Sequence, residues 1–231
     1  MRCGAAHHVV ASMRAVPDLP PGEGPARLSG SARPAVFLDK DGTLIEDVPH
    51  NVDPAQLRFT KGAVPALRLL GQAGFPLVIV TNQPGVSMGL FTRHQLKLLE
   101  QALRARVRQE AGVELAGMYV CPHAPAPPGG LSCLCRKPAP GLLRQAAVAG
   151  HYDLARSWMV GDILDDIEAG ARAGCRTILL DRGSETIWRM TPLRKPDYRC
   201  SDLLQAARII LGVRGEDTRL RPPGASGNLR E

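Results

Sequence analysis

Val36-Phe37-Leu38-Asp39-Lys40-Asp41-Gly42-Thr43 opens on three consecutive apolar residues and closes on two acids and an Asp-Gly turn. A short run that is apolar throughout, with no polar alternation, is the pattern of a strand covered on both faces. Four further runs repeat it: Leu77-Val78-Ile79-Val80 before Thr81, Met118-Tyr119-Val120, Trp158-Met159-Val160 before Gly161-Asp162, and Thr177-Ile178-Leu179-Leu180. Helical spacing fills the intervals. Val64, Leu67 and Leu70 or Leu69 mark a helix over 63–71 that Gly74 closes. Thr92 caps a long helix through Leu96, Leu99, Leu103 and Val107, stopped by Gly112. Further helices are predicted over 140–149, 165–173 and 201–210, the last capped by Ser201. The alternation predicts an α/β fold: a doubly wound, Rossmann-like parallel sheet with helices on both faces. In such sheets the ligand sits beyond the carboxyl ends of the strands. Those ends carry Asp39 and Asp41, then Thr81-Asn82-Gln83, then Gly161-Asp162.

This pattern occupies residues 35–211 of a 231-residue chain, a normal size for one domain. Residues 1–34 hold five prolines and little periodicity, and 212–231 are rich in Gly, Pro and Arg, so both ends read as flexible extensions. With 44% hydrophobic residues the chain can build a core, which excludes wholesale disorder. It has neither an apolar run long enough to span a membrane nor the apolar core of a signal peptide. A soluble, cytoplasmic, monomeric protein is expected, with no membrane partner. The formal charge is +7, and 24 of the 29 basic residues are arginines. They are scattered, aromatic residues make up only 4%, and the densest run (Arg104, Arg106, Arg108) spreads around a helix. That balance suits an anionic small substrate better than nucleic acid.

Two acids flanking one residue, with a glycine to turn the chain, can aim both carboxylates into one crevice. Such hard oxygen donors suit Mg²⁺ together with a substrate phosphate. One aspartate can attack phosphorus, and the other can protonate the leaving alcohol. Taken alone, the pattern is met equally well by a turn with solvated acids. Three features add to it: the Thr81 hydroxyl at the end of the second strand, the compact charge of Lys137, and Asp162 after the fourth strand, with Asp165 and Asp166 behind it.

A second constellation is Cys121-x-His123 with Cys133-x-Cys135, three thiols and an imidazole within fifteen residues. Four soft or borderline ligands suit a closed tetrahedral Zn²⁺ site. The breakers between them (Pro125, Pro127, Pro128, Gly129, Gly130) deny that loop a core of its own. Cys175 reads as a core residue. His50, in Asp47-Val48-Pro49-His50, is either an exposed loop histidine or a substrate contact.

Taken together, Asp39-x-Asp41-Gly42-Thr43, Thr81-Asn82-Gln83, Lys137 and Gly161-Asp162-x-x-x-Asp166 resemble the four motifs of the haloacid-dehalogenase-like (HAD) phosphatases. The finer likeness, over residues 35–183, is to the D-glycero-D-manno-heptose-1,7-bisphosphate phosphatases and the related histidinol-phosphate phosphatases. The resemblance implies a fold with a minimal cap. It also implies Mg²⁺ held by Asp39, the backbone carbonyl of Asp41, and Asp162. Asp39 would be the nucleophile and Asp41 the general acid and base. Thr81 and Lys137 would stabilise the phosphoryl group, while Arg136, Asn82 and Gln83, with Asp47 and His50 in the bordering loop, would meet the substrate. That family carries a similar Cys-Pro-His…Cys-x-Cys-Arg-Lys-Pro segment, which supports Zn²⁺ at Cys121, His123, Cys133 and Cys135 and places the clip next to Lys137.

The chain departs from the family at Ile163 and Met88, where a basic residue is common. The nine residues between His123 and Cys133, and the Gly85-x-x-x-Gly89-x-Phe91-Thr92 run, favour the heptose type. The expected activity is release of the 7-phosphate from a heptose 1,7-bisphosphate, in the biosynthesis of nucleotide-activated heptose. The alternatives are a histidinol-phosphate or broader sugar-phosphate phosphatase and, in another class, a zinc-clipped nucleic-acid-binding module.

Overall fold

The computed structural model describes residues 31–127 and 133–212. The extensions expected over 1–34 and 212–231 therefore fall almost wholly outside the described residues. Regular pairing begins at Arg33, which bridges Tyr152 in parallel.

Six parallel strands form one sheet: β1 (Val36–Leu38), β2 (Leu77–Asn82), β3 (Leu115–Cys121), β4 (Trp158–Gly161), β5 (Arg176–Leu180) and β6 (Tyr198–Cys200), in the order β3-β2-β1-β4-β5-β6. The five apolar runs are all strands. β6 has no such signature, because Tyr198-Arg199-Cys200 is a short edge strand paired on one side only, through Ile178↔Tyr198 and Leu180↔Cys200.

Side chains alternate across the central strands. Val36, Leu38, Leu77, Ile79, Val160 and Ile178 face α1 (Ala63–Gln72), α2 (Arg93–Ala111) and α5 (Leu203–Ile210). Phe37, Val78, Val80 and Met159 face α3 (Gly141–Gly150) and α4 (Leu164–Ala173). Both faces are covered, which is why these strands carry no polar alternation.

The expected caps hold at α2, where the Thr92 hydroxyl accepts from Gln95 N at 3.1 Å and Gly112 takes the left-handed conformation. At α5 the cap is Asp202 rather than the expected Ser201. Its carboxylate accepts from Gln205 N at 2.8 Å, while Ser201 accepts from the Gln205 side chain. The basic run on α2 is answered locally: Arg104 pairs with Glu100 (2.9 Å), Arg106 with Glu110 (2.6 Å) and Arg108 with Glu114. No described helix is long and apolar enough to cross a membrane.

The chain runs outward from β1 to β2 and β3, then returns to β4 on the other side of β1. Strand order therefore reverses between β1 and β4, and their carboxyl ends diverge to open a crevice. Asp39 follows β1 and Asp162 follows β4, so the sheet brings these two acids face to face.

Candidate active site

Asp39, Asp162 and Asp166 each offer a carboxylate oxygen, and these atoms lie within 4.8 Å of one another. Lys137 reaches into the group. Its ammonium bonds Asp39, lies 2.6 Å from Asp166 Oδ1 and donates to the Val80 carbonyl at 2.9 Å. Lys137 is only 2% exposed, so its charge faces the cluster rather than water.

Three carboxylates against one ammonium leave the cluster short of positive charge. Burial first, then the charges of Asp166 and Asp41, push Asp39 up to about 7 despite Lys137. Burial and the Asp39 charge push Asp162 up to about 6. Lys137 is held above the ordinary lysine range: burial opposes its charge, and Asp166 and Asp39 outweigh it. A buried, oxygen-lined, electron-rich group of this kind fits a hard divalent cation, which would let all three carboxylates ionise.

Asp41 stands apart from this cluster. Its two oxygens are gripped by Lys40 Nζ (2.8 Å) and by Gln83 Nε2 (2.7 Å), and the same Gln83 amide donates to Thr81 Oγ1 at 3.1 Å. The Asp41 carboxylate is thus no member of the acidic cluster, and only its main chain is left for the metal role implied by the resemblance. Lys40 is itself 2% exposed, a burial that sequence alone does not reveal.

Gly42 turns the loop with φ +75°, and a Cβ there would lie 2.0 Å from Asp162 Oδ2, so any side chain would displace that acid. Thr43 Oγ1 donates to Asp162 Oδ1 at 3.0 Å.

Asn82 clamps the backbone of Lys137 from both sides, accepting from its N–H at 3.0 Å and donating to its carbonyl at 3.1 Å. This places Asn82 as a positioner of the lysine as well as a cavity-lining residue. Asp39, Asp41, Asp47, Thr81, Asn82, Lys137 and Asp162 line a cavity of about 300 Å³. A second of about 310 Å³ is lined by Lys40, His50, Gln83 and Arg136 and shares Asp41, Asp47 and Asn82 with the first. All nine residues expected to act on phosphate or meet the substrate line this two-part cleft.

Beside the cleft, the Cys/His set closes on itself. Cys135 Sγ lies 3.3 Å from Cys121 Sγ, 3.4 Å from Cys133 Sγ and 3.3 Å from His123 Nδ1, and Cys121 Sγ is 3.6 Å from both Cys133 Sγ and His123 Nδ1. None is disulfide-bonded. Ligand–ligand spacings of this size are those of a tetrahedron about one ion with bonds of roughly 2.0–2.3 Å. Arg136 N–H donates to Cys133 Sγ at 3.3 Å, and the Arg136 guanidinium donates to His123 O at 3.2 Å. The segment that delivers Lys137 is therefore tied to the cysteine cluster. Cys175 is buried in the core, as expected.

Two relationships are not legible in the sequence: the pairing of Asp166 and the contact of Glu185. Asp166 was visible as an acid behind Asp162, but its pairing with Lys137 depends on the α4 approach to β4, where a Cβ on Gly161 would strike the Asp166 carboxylate. Glu185, whose carboxylate accepts from Leu164 N at 2.9 Å, lies 21 residues from its partner and carries no motif.

A HAD-hydrolase-like family model matches residues 134–206. A Yersinia pestis protein named D-glycero-beta-D-manno-heptose-1,7-bisphosphate 7-phosphatase is 40% identical over 161 residues, covering 67% of this chain and 83% of its own length. The crystal structure of D,D-heptose 1,7-bisphosphate phosphatase from B. bronchiseptica, complexed with magnesium and phosphate, superposes with TM-score 0.65 at 30% identity, covering 78% of this chain and 98% of its own. A putative HAD-like phosphatase from Mesorhizobium loti gives TM-score 0.66 at 30% identity, with 82% and 91% covered.

Proposed function

Because the chain belongs to the heptose-1,7-bisphosphate 7-phosphatase family of HAD-like hydrolases, we propose that it releases the 7-phosphate of a heptose 1,7-bisphosphate with Asp39 as nucleophile. It is a phosphoric monoester hydrolase. The observation that carries the reading is the buried group of Asp39, Asp162, Asp166 and Lys137 at the reversal of strand order.

In the first step Asp39 attacks phosphorus and the bond from phosphorus to the sugar oxygen breaks. Asp41 gives its proton to that oxygen, leaving an aspartyl-phosphate and the free alcohol. In the second, Asp41 takes a proton from water, which attacks the same phosphorus and frees Asp39 and inorganic phosphate. The Lys40 and Gln83 contacts fix the Asp41 carboxylate for both transfers. Lys137 and Thr81 meet the charge that develops on the phosphoryl oxygens. Mg²⁺, held by Asp39, Asp162 and the Asp41 carbonyl, supplies further neutralisation of that charge when bound. Asp47, His50, Asn82, Gln83 and Arg136 line the space left for the sugar and its second anionic group.

Phosphate release from heptose 1,7-bisphosphate and from histidinol phosphate, compared as kcat/KM, tests the substrate. A clear preference for the bisphosphate is expected; preference for histidinol phosphate overturns the assignment.

Protons compete with Mg²⁺ for the raised carboxyls. Asp39 and Asp162 titrate about 7 and 6 in the metal-free fold, against an ordinary 3.8. The folded state therefore binds protons that the unfolded chain has released, and the metal-free protein gains stability as pH falls from 8 to 6. Over the same interval its Mg²⁺ affinity drops. Calorimetric titration with Mg²⁺ at pH 8 and pH 6 checks this, and equal affinities would refute it.

Zn²⁺ at Cys121, His123, Cys133 and Cys135 would be structural, since four protein ligands leave no open position. Protein purified without chelators is expected to carry one zinc per chain. Cys133→Ser should lower the melting temperature and expose the Arg136-Lys137 segment to proteolysis. Zinc-free protein with unchanged stability would count against the site.

A further inference from the structure

α4 begins between two acids of the cluster, since Asp162 precedes and Asp166 follows its first residue, Leu164. Its N-cap position is held by Ile163, whose side chain can accept nothing. An uncapped helix start leaves backbone N–H groups free and frays easily. Within the first turn Asp166 accepts from Ile163 N at 3.4 Å, but the acceptor for Leu164 N comes from another part of the chain. Glu185, in the 181–197 segment linking β5 to β6, accepts from Leu164 N at 2.9 Å through one carboxylate oxygen and from its own Ile187 N at 2.8 Å through the other.

The same segment is fastened at further points. Arg182 donates to the Gly42 carbonyl at 3.2 Å and pairs with Glu46, also at 3.2 Å, on the loop that carries Asp41. Ser184 lines the catalytic cavity together with Asp162. At the far end Arg194 bridges Asp165 (2.8 Å) and Glu168 (2.6 Å) on α4. We propose that the 181–197 segment is a strap across the acidic cluster, and that Glu185, by capping α4 from outside, is a positioning residue setting the spacing of Asp162 and Asp166 for the divalent cation.

This inference rests on the phosphatase reading for the identity of the cation, but Glu185 touches neither Asp39 nor the cleft's catalytic cavity. Its removal should therefore weaken cation binding while sparing turnover at saturation. An amide oxygen also accepts from N–H, so Glu185→Gln should behave like the wild type, whereas Glu185→Ala should not.

Wild type, E185Q and E185A are compared for Mg²⁺ binding by calorimetry and for kcat at saturating Mg²⁺. In the metal-free state they are compared for tryptic cutting at Arg182, Arg189 and Arg194 and for quenching of Trp188. That tryptophan lies on the strap, whereas the chain's other one, Trp158, is buried. The expected result is an Mg²⁺ dissociation constant raised about tenfold in E185A and restored in E185Q, kcat within about twofold throughout, and faster cutting and quenching in E185A only. If E185A fails to fold, Arg194→Met, which loosens the strap at its other end, takes its place with a rise of several-fold expected. An Mg²⁺ dissociation constant within twofold of wild type in the folded variant overturns the proposal. Absence of phosphate release by the wild type would instead strike the phosphatase reading and leave the strap's cation and proteolysis tests standing.

Discussion

Asp39→Asn should abolish phosphate release while leaving the protein folded and, without metal at pH 8, more stable than the wild type. An amide cannot attack phosphorus, and loss of a nucleophile that works as part of a unit costs on the order of 10⁴-fold or more in turnover. The stability gain follows from the same burial that prepares the site. At pH 8 the Asp39 carboxyl is ionised although its surroundings push it up to about 7, so the folded state carries a penalty that a neutral amide removes. Opposite movements of activity and melting temperature distinguish this outcome from simple unfolding, which would lower both. Parallel loss of both would show that Asp39 is needed for the fold rather than for the reaction.

Lys137→Met should instead damage both activity and stability. Methionine keeps the stem volume but removes the one ammonium that faces Asp39 and Asp166. Breaking a buried ion pair from one side costs about 3–5 kcal/mol, because the remaining charges are left uncompensated. For a domain of this size that is a fall in melting temperature of roughly 10 °C. Losing an electrostatic contact to the transferring group costs a further factor of about 10²–10³ in kcat. The stability loss should be larger at pH 8 than at pH 6, since protons can replace the missing cation on the raised carboxyls. Adding Asp166→Asn to Lys137→Met should recover part of the stability and none of the activity. An unchanged melting temperature in Lys137→Met would mean that the lysine is not the counter-charge of the cluster.

The parts of this site legible in the sequence are those that short-range pattern determines. A parallel strand buried on both faces must be apolar along its length, so Val36-Phe37-Leu38 and Trp158-Met159-Val160 announce themselves, and the polar residues that follow them mark the crevice. The Cys/His set is legible for a similar reason: metal-ligating residue types cluster at close spacing where the loop has no core. What the sequence hid depends on long-range packing. β6 is a half-buried edge with no period of its own. Lys40 looks like a surface residue and is buried against Asp41. Ser201 and Asp202 are both good caps, and only the approach of the chain to α5 decides between them. Glu185 acts on a helix whose N-cap side chain, Ile163, offers no acceptor, across a gap that no motif spans. The roles of Asp39, Asp41, Thr81 and Lys137 were suggested by the joint resemblance; the geometry adds why that order of motifs works, since the reversal between β1 and β4 sets Asp39 against Asp162.

The central claim is that Asp39 carries the phosphoryl group between the two steps. Quenching the wild-type enzyme during turnover and reducing it with borohydride converts an aspartyl-phosphate to homoserine, which peptide mass spectrometry locates. The account predicts homoserine at position 39, dependent on substrate and absent from Asp39→Asn. Homoserine at another aspartate, or none while rapid-mixing kinetics show a pre-steady-state burst of the dephosphorylated sugar, would contradict it.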